Sequence, residues 1–156
     1  MDDLFYMKLA LDEAKKAEQM DEVPVGAVLI DVDGQIAGTG FNQPIRLNDP
    51  TGHAEMLAIR MASLNLGNYR LPGATLYTTI EPCIMCMGAI IHARIARLVY
   101  GAADPKWGGA GSLYNFASDT RLNHRLDVVS GILGEDASEM IRSFFRNKRS
   151  RECQTQ

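Results

Sequence analysis

The sequence predicts an α/β protein of three layers, with helices on both faces of a mixed central sheet of about five strands. Three observations carry this. Short apolar runs of strand character alternate along the chain with segments of helical period. Asp33-Gly34, between two such runs, marks a tight hairpin, so the first two strands are antiparallel. The order that follows (helix, strand, helix, strand) gives a sheet that mixes directions and is covered on both sides.

Residues 3–19 open the chain as a helix, because Leu4, Met7, Leu11 and Ala14 recur at helical spacing and Asp2 and Asp3 favour its N-terminus. Residues 25–32 form an apolar run suited to a buried strand, and 35–40 return beside it. A polar loop with Pro44 and Asp49-Pro50 occupies 42–52. A second helix is expected from about Thr51 to Leu64, then a connection over 68–73 and a β-rich strand over 74–80. Pro82 stands where a helix begins, at the position that tolerates a missing N–H, so a third helix is expected from Cys83 to about Ala93. Strands follow at 98–101 and 126–130, with a glycine-rich loop over 104–112 between them. Residues 135–148 close the chain as a helix with acids early and cations late, which matches the helix macrodipole.

At 156 residues the chain has the size of one domain, expected over 1–150, with a C-terminal tail over 151–156 that frays. Its 46% hydrophobic and 22% charged content is that of a soluble globular protein and excludes a disordered or collagenous chain. No apolar run approaches the roughly 20 residues of a membrane span. The acidic start Met1-Asp2-Asp3-Leu4 is unlike a secretory signal. Three cysteines are too few, and odd, for a disulfide framework, which favours the cytoplasm. The net charge of −3 argues weakly against a nucleic-acid partner, but it averages a −7 half over 1–55 with a +4 half over 56–156. Arg142, Arg146, Lys148, Arg149 and Arg151 follow one another with no acid between them. Such a run is either a solvated helix face or a helix end that touches phosphate.

The chemistry lies in two short motifs, His53-Ala54-Glu55 and Pro82-Cys83-Ile84-Met85-Cys86, each at a predicted helix start. Cys83 and Cys86 are one turn apart, so both sulfurs can face one side of a helix N-terminus, where the dipole favours the thiolate that binds metal. Alone, a Cys-x-x-Cys is a redox pair, half a structural zinc site or two core cysteines. With His53 it makes three zinc ligands, and three protein ligands plus water is the stoichiometry of a catalytic site. Glu55, two residues from His53, can approach that water without ligating the ion and can move its proton. His-x-Glu with Pro-Cys-x-x-Cys is the known signature of zinc nucleobase deaminases.

Beyond that signature, Asp49-Pro50-Thr51-Gly52-His53-Ala54-Glu55, Glu81-Pro82-Cys83-Ile84-Met85-Cys86, Gly111-Ser112-Leu113, Asn123-His124-Arg125 and Phe144-Phe145-Arg146 resemble the bacterial tRNA-specific adenosine deaminases, over nearly the whole chain. The resemblance implies the cytidine deaminase-like fold, one zinc ion per subunit, a homodimer, and an anticodon stem-loop as partner. It implies conversion of the wobble adenosine of an arginine tRNA to inosine, with His53, Cys83 and Cys86 holding the metal and Glu55 carrying protons during attack at C6 and loss of ammonia. It also implies that Asn42 bonds the target base, whose purine edge suits an amide with both donor and acceptor. Asp104 and Lys106 fall in a loop beside the site, Phe144 and Phe145 offer stacking faces, and Arg146 and Arg149 form one cationic edge. Adjacent helix positions diverge by about 100°, so one of the two phenylalanines faces the core.

Departures from the family pattern are few. Gly52 and Met87 replace an alanine and a smaller residue, and Phe41 and Trp107 enlarge the apolar surface of loops that would face substrate. Glu81 is read as orienting a local backbone group, His124 as a structural hydrogen bonder, Cys153 as a free surface thiol, and Met85 and Met87 as core filler. Two other functions fit the zinc motif. One is deamination of a free base or nucleoside, against which the cationic C-terminal run argues. The other is a non-catalytic zinc-stabilised RNA-binding module, in which Glu55 would have no role.

Overall fold

The computed structural model describes residues 2–155. Helix α1 (Asp3–Gln19) is capped by Asp2, whose carboxylate accepts from the Phe5 N–H at 3.0 Å. Strands β1 (Gly26–Ile30) and β2 (Ile36–Phe41) form the hairpin. Its turn is held by Asp31, whose Oδ1 accepts from the N–H groups of Asp33 and Gln35, while Gly34 supplies the positive φ of 81°. One helical turn, α2 (Pro44–Leu47), precedes helix α3 (Ala54–Leu66), strand β3 (Thr75–Ile80) and helix α4 (Ile84–His92). Strands β4 (Arg97–Ala102) and β5 (Asp127–Ser130) and helix α5 (Gly134–Gln154) complete the chain.

The five strands lie in the order β2-β1-β3-β4-β5. β1 is antiparallel to both β2 and β3, and β3, β4 and β5 run parallel, so the sheet is mixed as predicted. Side chains alternate across it. Ala27, Leu29, Leu76 and Leu98 pack under Ala54, Ala58 and Ala62 of α3 and Met87 and Ile90 of α4. Val28, Ile30, Tyr77 and Val99 pack under Met7 and Ala10 of α1, and α5 joins that layer through Ala137 beside Leu11 and Ala102. This is the expected three-layer α/β/α arrangement.

The alanine-lined face of α3 sits unusually close to the sheet. A Cβ at Gly38 would run into the Ala58 carbonyl, and one at Gly40 into the Ala54 carbonyl. The Gly38-Thr39-Gly40 stretch therefore lets α3 dock on β2, which sets the position of the α3 N-terminus.

Local differences from the sequence expectation have local causes. α3 starts at Ala54 rather than near Thr51, because Asp49 Oδ1 takes the Thr51 N–H and hydroxyl and holds 49–52 as a turn. α4 starts at Ile84, so Pro82 lies outside it. Cys83 is extended in a bridge with Gly108, and the Pro82 carbonyl accepts from Gly109 N at 2.8 Å. The polar loop contains α2, whose Ile45 and Arg46 N–H groups are capped by the buried carboxylate of Glu22. Helix α5 continues past the boundary expected at 150, to Gln154, with Arg151 bonded to Asp21 at 2.7 Å. Among the described residues no helix is long and apolar enough to cross a membrane.

Candidate active site

Two helix N-termini meet beyond the carboxyl end of β3, the usual place for a site in an α/β sheet. His53 is the N-cap of α3 and Cys83 the N-cap of α4, and neither spends its side chain on capping. Both are free to point at a common centre, and Cys86, one turn into α4, is fully buried beside them. The Cys83 and Cys86 sulfurs lie 3.5 and 3.6 Å from His53 Nδ1, and all three atoms lie within 4.8 Å of one another. A nitrogen at ~2.1 Å and a sulfur at ~2.3 Å from a tetrahedral zinc ion stand ~3.6 Å apart, so the donor set fits that ion.

The electrostatics agree. Hydrogen bonding from Cys86, helped by His53 and opposed by burial, brings the Cys83 thiol down to about 4. Cys86 moves the other way, through its bond to Cys83, its burial and the nearby Glu55. One thiolate forms readily, while a second would add negative charge to a buried and already anionic corner. A divalent cation removes that penalty, which is why the pair suits a metal better than a proton.

Glu55 sits in the first turn of α3, 4% exposed, and stays outside the ligand group. Its Oε1 accepts from the Thr78 hydroxyl at 3.3 Å. Burial raises its pKa, against the opposing pull of Cys86 and His53. A carboxyl held nearer neutrality beside a metal site is suited to taking and returning a proton. The site opens into a cleft of about 680 Å³ whose walls include Asn42, His53, Glu55, Cys83, Asp104 and Trp107.

Glu81 builds one wall. It is buried, and its carboxylate accepts from Asp104 N, Ala110 N and Ser112 N at 3.0–3.1 Å and from the Ser112 hydroxyl. Burial would raise its pKa, but the Ser112 hydroxyl and the backbone donors outweigh it and hold the group ionised. Gly108 has no Cβ because one would overlap that carboxylate. The backbone-orienting role expected of Glu81 is what the structure shows. Glu22 does the equivalent for the Asn42 side by capping α2. Its only sequence signal is an acid beside the apolar stretch that opens β1.

The other predicted residues divide. Asn42 is buried on the cleft wall, with its N–H donated to the Val25 carbonyl at 3.0 Å. Asp104 is on the wall too, but its Oδ1 accepts from the N–H groups of Lys106 and Trp107, so it acts as a turn former. Lys106 is exposed and is not part of the wall. Phe144 is 3% exposed and Phe145 39%, so one ring enters the core and one reaches solvent. Arg146 bonds Glu139 at 2.6 Å, as does Arg142 at 3.1 Å, while Arg149 is exposed. At the end of α5, Arg151 bonds Asp21 at 2.7 Å, and the two share a separate groove with Phe144 and Asn147. His124 bonds the Ile95 carbonyl at 2.8 Å and Cys153 is exposed, both as expected. Met87 is core, whereas Met85 lines the cleft.

Residues 1–102 match the model of the cytidine and deoxycytidylate deaminase zinc-binding region, which places the fold and the site in the class of zinc-dependent hydrolytic deaminases. The chain is 51% identical over 144 residues to a tRNA-specific adenosine deaminase of Agrobacterium fabrum, covering 92% of this chain and 94% of that one. It is 50% identical over 143 residues to the enzyme of the same name from Haemophilus influenzae, covering 92% and 83%. A solved structure described as a tRNA:A34 deaminase, from work on A-to-I editing at the wobble position, superposes with a TM-score of 0.83 at 49% identity, over 87% of this chain and 98% of that one. The chain belongs to the family of tRNA-specific adenosine deaminases.

Proposed function

We propose that the protein hydrolyses the 6-amino group of the wobble adenosine in a tRNA anticodon, taking up water, leaving inosine in the tRNA and releasing ammonia. The observation that carries this is Glu55, buried beside the His53-Cys83-Cys86 ligand set but outside it, at the floor of an open cleft. Zinc held there supplies Lewis-acid activation of water and a fixed template for the attack. Glu55 accepts one proton of the water at a carboxylate oxygen and hands it to the purine ring as the new C6–O bond forms. It then takes the proton of the new C6 hydroxyl and passes it to the amine, so that the C6–N bond breaks, ammonia leaves and the C6 carbonyl of inosine remains. Thr78 keeps the carboxylate aimed while it does so. Asn42 offers its amide to the edge of the base.

An anticodon base is already unpaired, so placing it in the cleft requires less unstacking than flipping from a duplex. The partner is an arginine tRNA, gripped by Phe145 and by Arg146 and Arg149 on the basic end of α5. The protein works in the cytoplasm as a homodimer. Support for pairing is the exposed Leu64 and Tyr69, which share a groove with His92 between α3 and α4. The test is incubation of zinc-loaded protein with an arginine tRNA anticodon stem-loop, scored for inosine at the first anticodon position. Inosine there is the expected product. Ammonia from free guanine or cytosine without inosine would replace this function with that of a small-molecule deaminase.

A further inference from the structure

Trp107 is the chain's one tryptophan and stands 62% exposed on the wall of the cleft. A single exposed aromatic is ordinary on a protein surface. This one differs because its loop is fixed from several directions. Its own N–H donates to Asp104 Oδ1 at 3.3 Å, Gly108 N donates to the Asp104 carbonyl at 2.8 Å, and Gly109 N to the Pro82 carbonyl at 2.8 Å. Glu81 holds the loop at Asp104, Ala110 and Ser112. The next two residues, Gly108 and Gly109, are thus bonded to the segment that carries Cys83, and the ring shares the cleft wall with Ile84 and Met85. A large flat surface kept in water, on a rigid mount, at the mouth of a base-sized cleft has the properties of a stacking platform.

We infer that Trp107 stacks on one of the two nucleobases flanking the adenosine and so helps to hold the RNA at the cleft; this rests on the function proposed above. The target base occupies the cleft below, so the base next to it is the part of the RNA that passes the rim. Stacking is tolerant of base identity but requires a base, and larger purine faces stack better than pyrimidines.

The experiment uses zinc-loaded protein and three stem-loops: one intact, one abasic on the 5′ side of the adenosine, one abasic on the 3′ side. Wild-type protein should lose on the order of 5- to 100-fold in KM with one of the two abasic RNAs, the range of base–aromatic stacking. Trp107→Ala should show that rise already with the intact RNA and no further rise with the same abasic RNA, with kcat kept. Trp107→Phe should restore most of the KM. Binding of intact RNA should quench tryptophan emission, and the abasic RNA that raises KM should not. Unquenched emission at saturating RNA that is nonetheless edited, or unchanged KM and flank dependence in Trp107→Ala, would overturn the stacking role and leave the deaminase function standing. Absence of inosine from wild-type protein on the intact RNA would overturn both.

Discussion

Tyr77 and Thr78 are neighbours on β3 whose side chains point to opposite faces of the sheet, and each donates to a carboxylate taken out of water. On the α1 face the carboxylate is Asp3. It accepts from Tyr77 at 2.8 Å and receives both arms of the Arg97 guanidinium at 2.8 Å. On the α3 face it is Glu55, which accepts from the Thr78 hydroxyl at 3.3 Å and is hydrogen-bonded by Cys86, with no salt bridge among the described residues. The bond from Arg97, then that from Tyr77, holds Asp3 below the ordinary carboxylate range against its partial burial. Burial pushes Glu55 above it. The fully satisfied acid staples α1 to the start of β4. The one that burial holds nearer neutrality stands beside a metal site, which is the arrangement a proton carrier needs.

If the two faces differ in this way, changes on one should leave the other's role intact. The largest effect belongs to the metal side. Cys86→Ser should lose zinc, and deamination should fall to the assay background. Its melting temperature should match that of chelated wild-type protein and ignore added zinc. A smaller effect belongs to Asp3→Asn, which leaves Arg97 with half its partners. It should lower stability by about 2 kcal/mol at neutral pH without changing turnover per folded molecule. Because the folded-state pKa of Asp3 is depressed, its stabilisation is present above the ordinary carboxylate range and is lost as pH falls through the lowered value. The gap between wild type and Asp3→Asn in urea unfolding should therefore close on acidification. A gap that widened would mean the acid is not the stabilising partner.

The smallest effect concerns α5. The Arg146–Glu139 pair is exposed on both sides and worth little, so Arg146 can exchange it for phosphate. Replacing Arg146 and Arg149 with glutamine should weaken RNA binding and reduce the slope of log Kd against log salt by ~0.7 per lost single-strand contact. An unchanged slope would mark that run as a solvated face.

The hairpin, the five strands and every helix but α2 were legible because each is announced by a local period or turn. The grouping of His53, Cys83 and Cys86, with Glu55 beside them, was legible because two short motifs hold all four. What escaped was decided by contacts between distant parts of the chain. Cys83 is extended because Gly108 bridges it, and α3 starts late because Asp49 claims Thr51. Asp104, expected among the substrate contacts, spends its carboxylate on the turn that presents Trp107. Glu22 caps α2 from 23 and 24 residues upstream of its donors, beyond any local pattern. The net charge of −3 likewise concealed where the cations gather, along α5.

The central claim is that Glu55 serves the chemistry without holding the metal. The direct test is Glu55→Ala, with metal content and turnover measured on the same preparation. Zinc should stay near one ion per chain while inosine formation falls by roughly 10²- to 10⁴-fold, the range of general acid–base catalysis. Loss of zinc in step with activity would make Glu55 a ligand or a support of the site and would contradict the account.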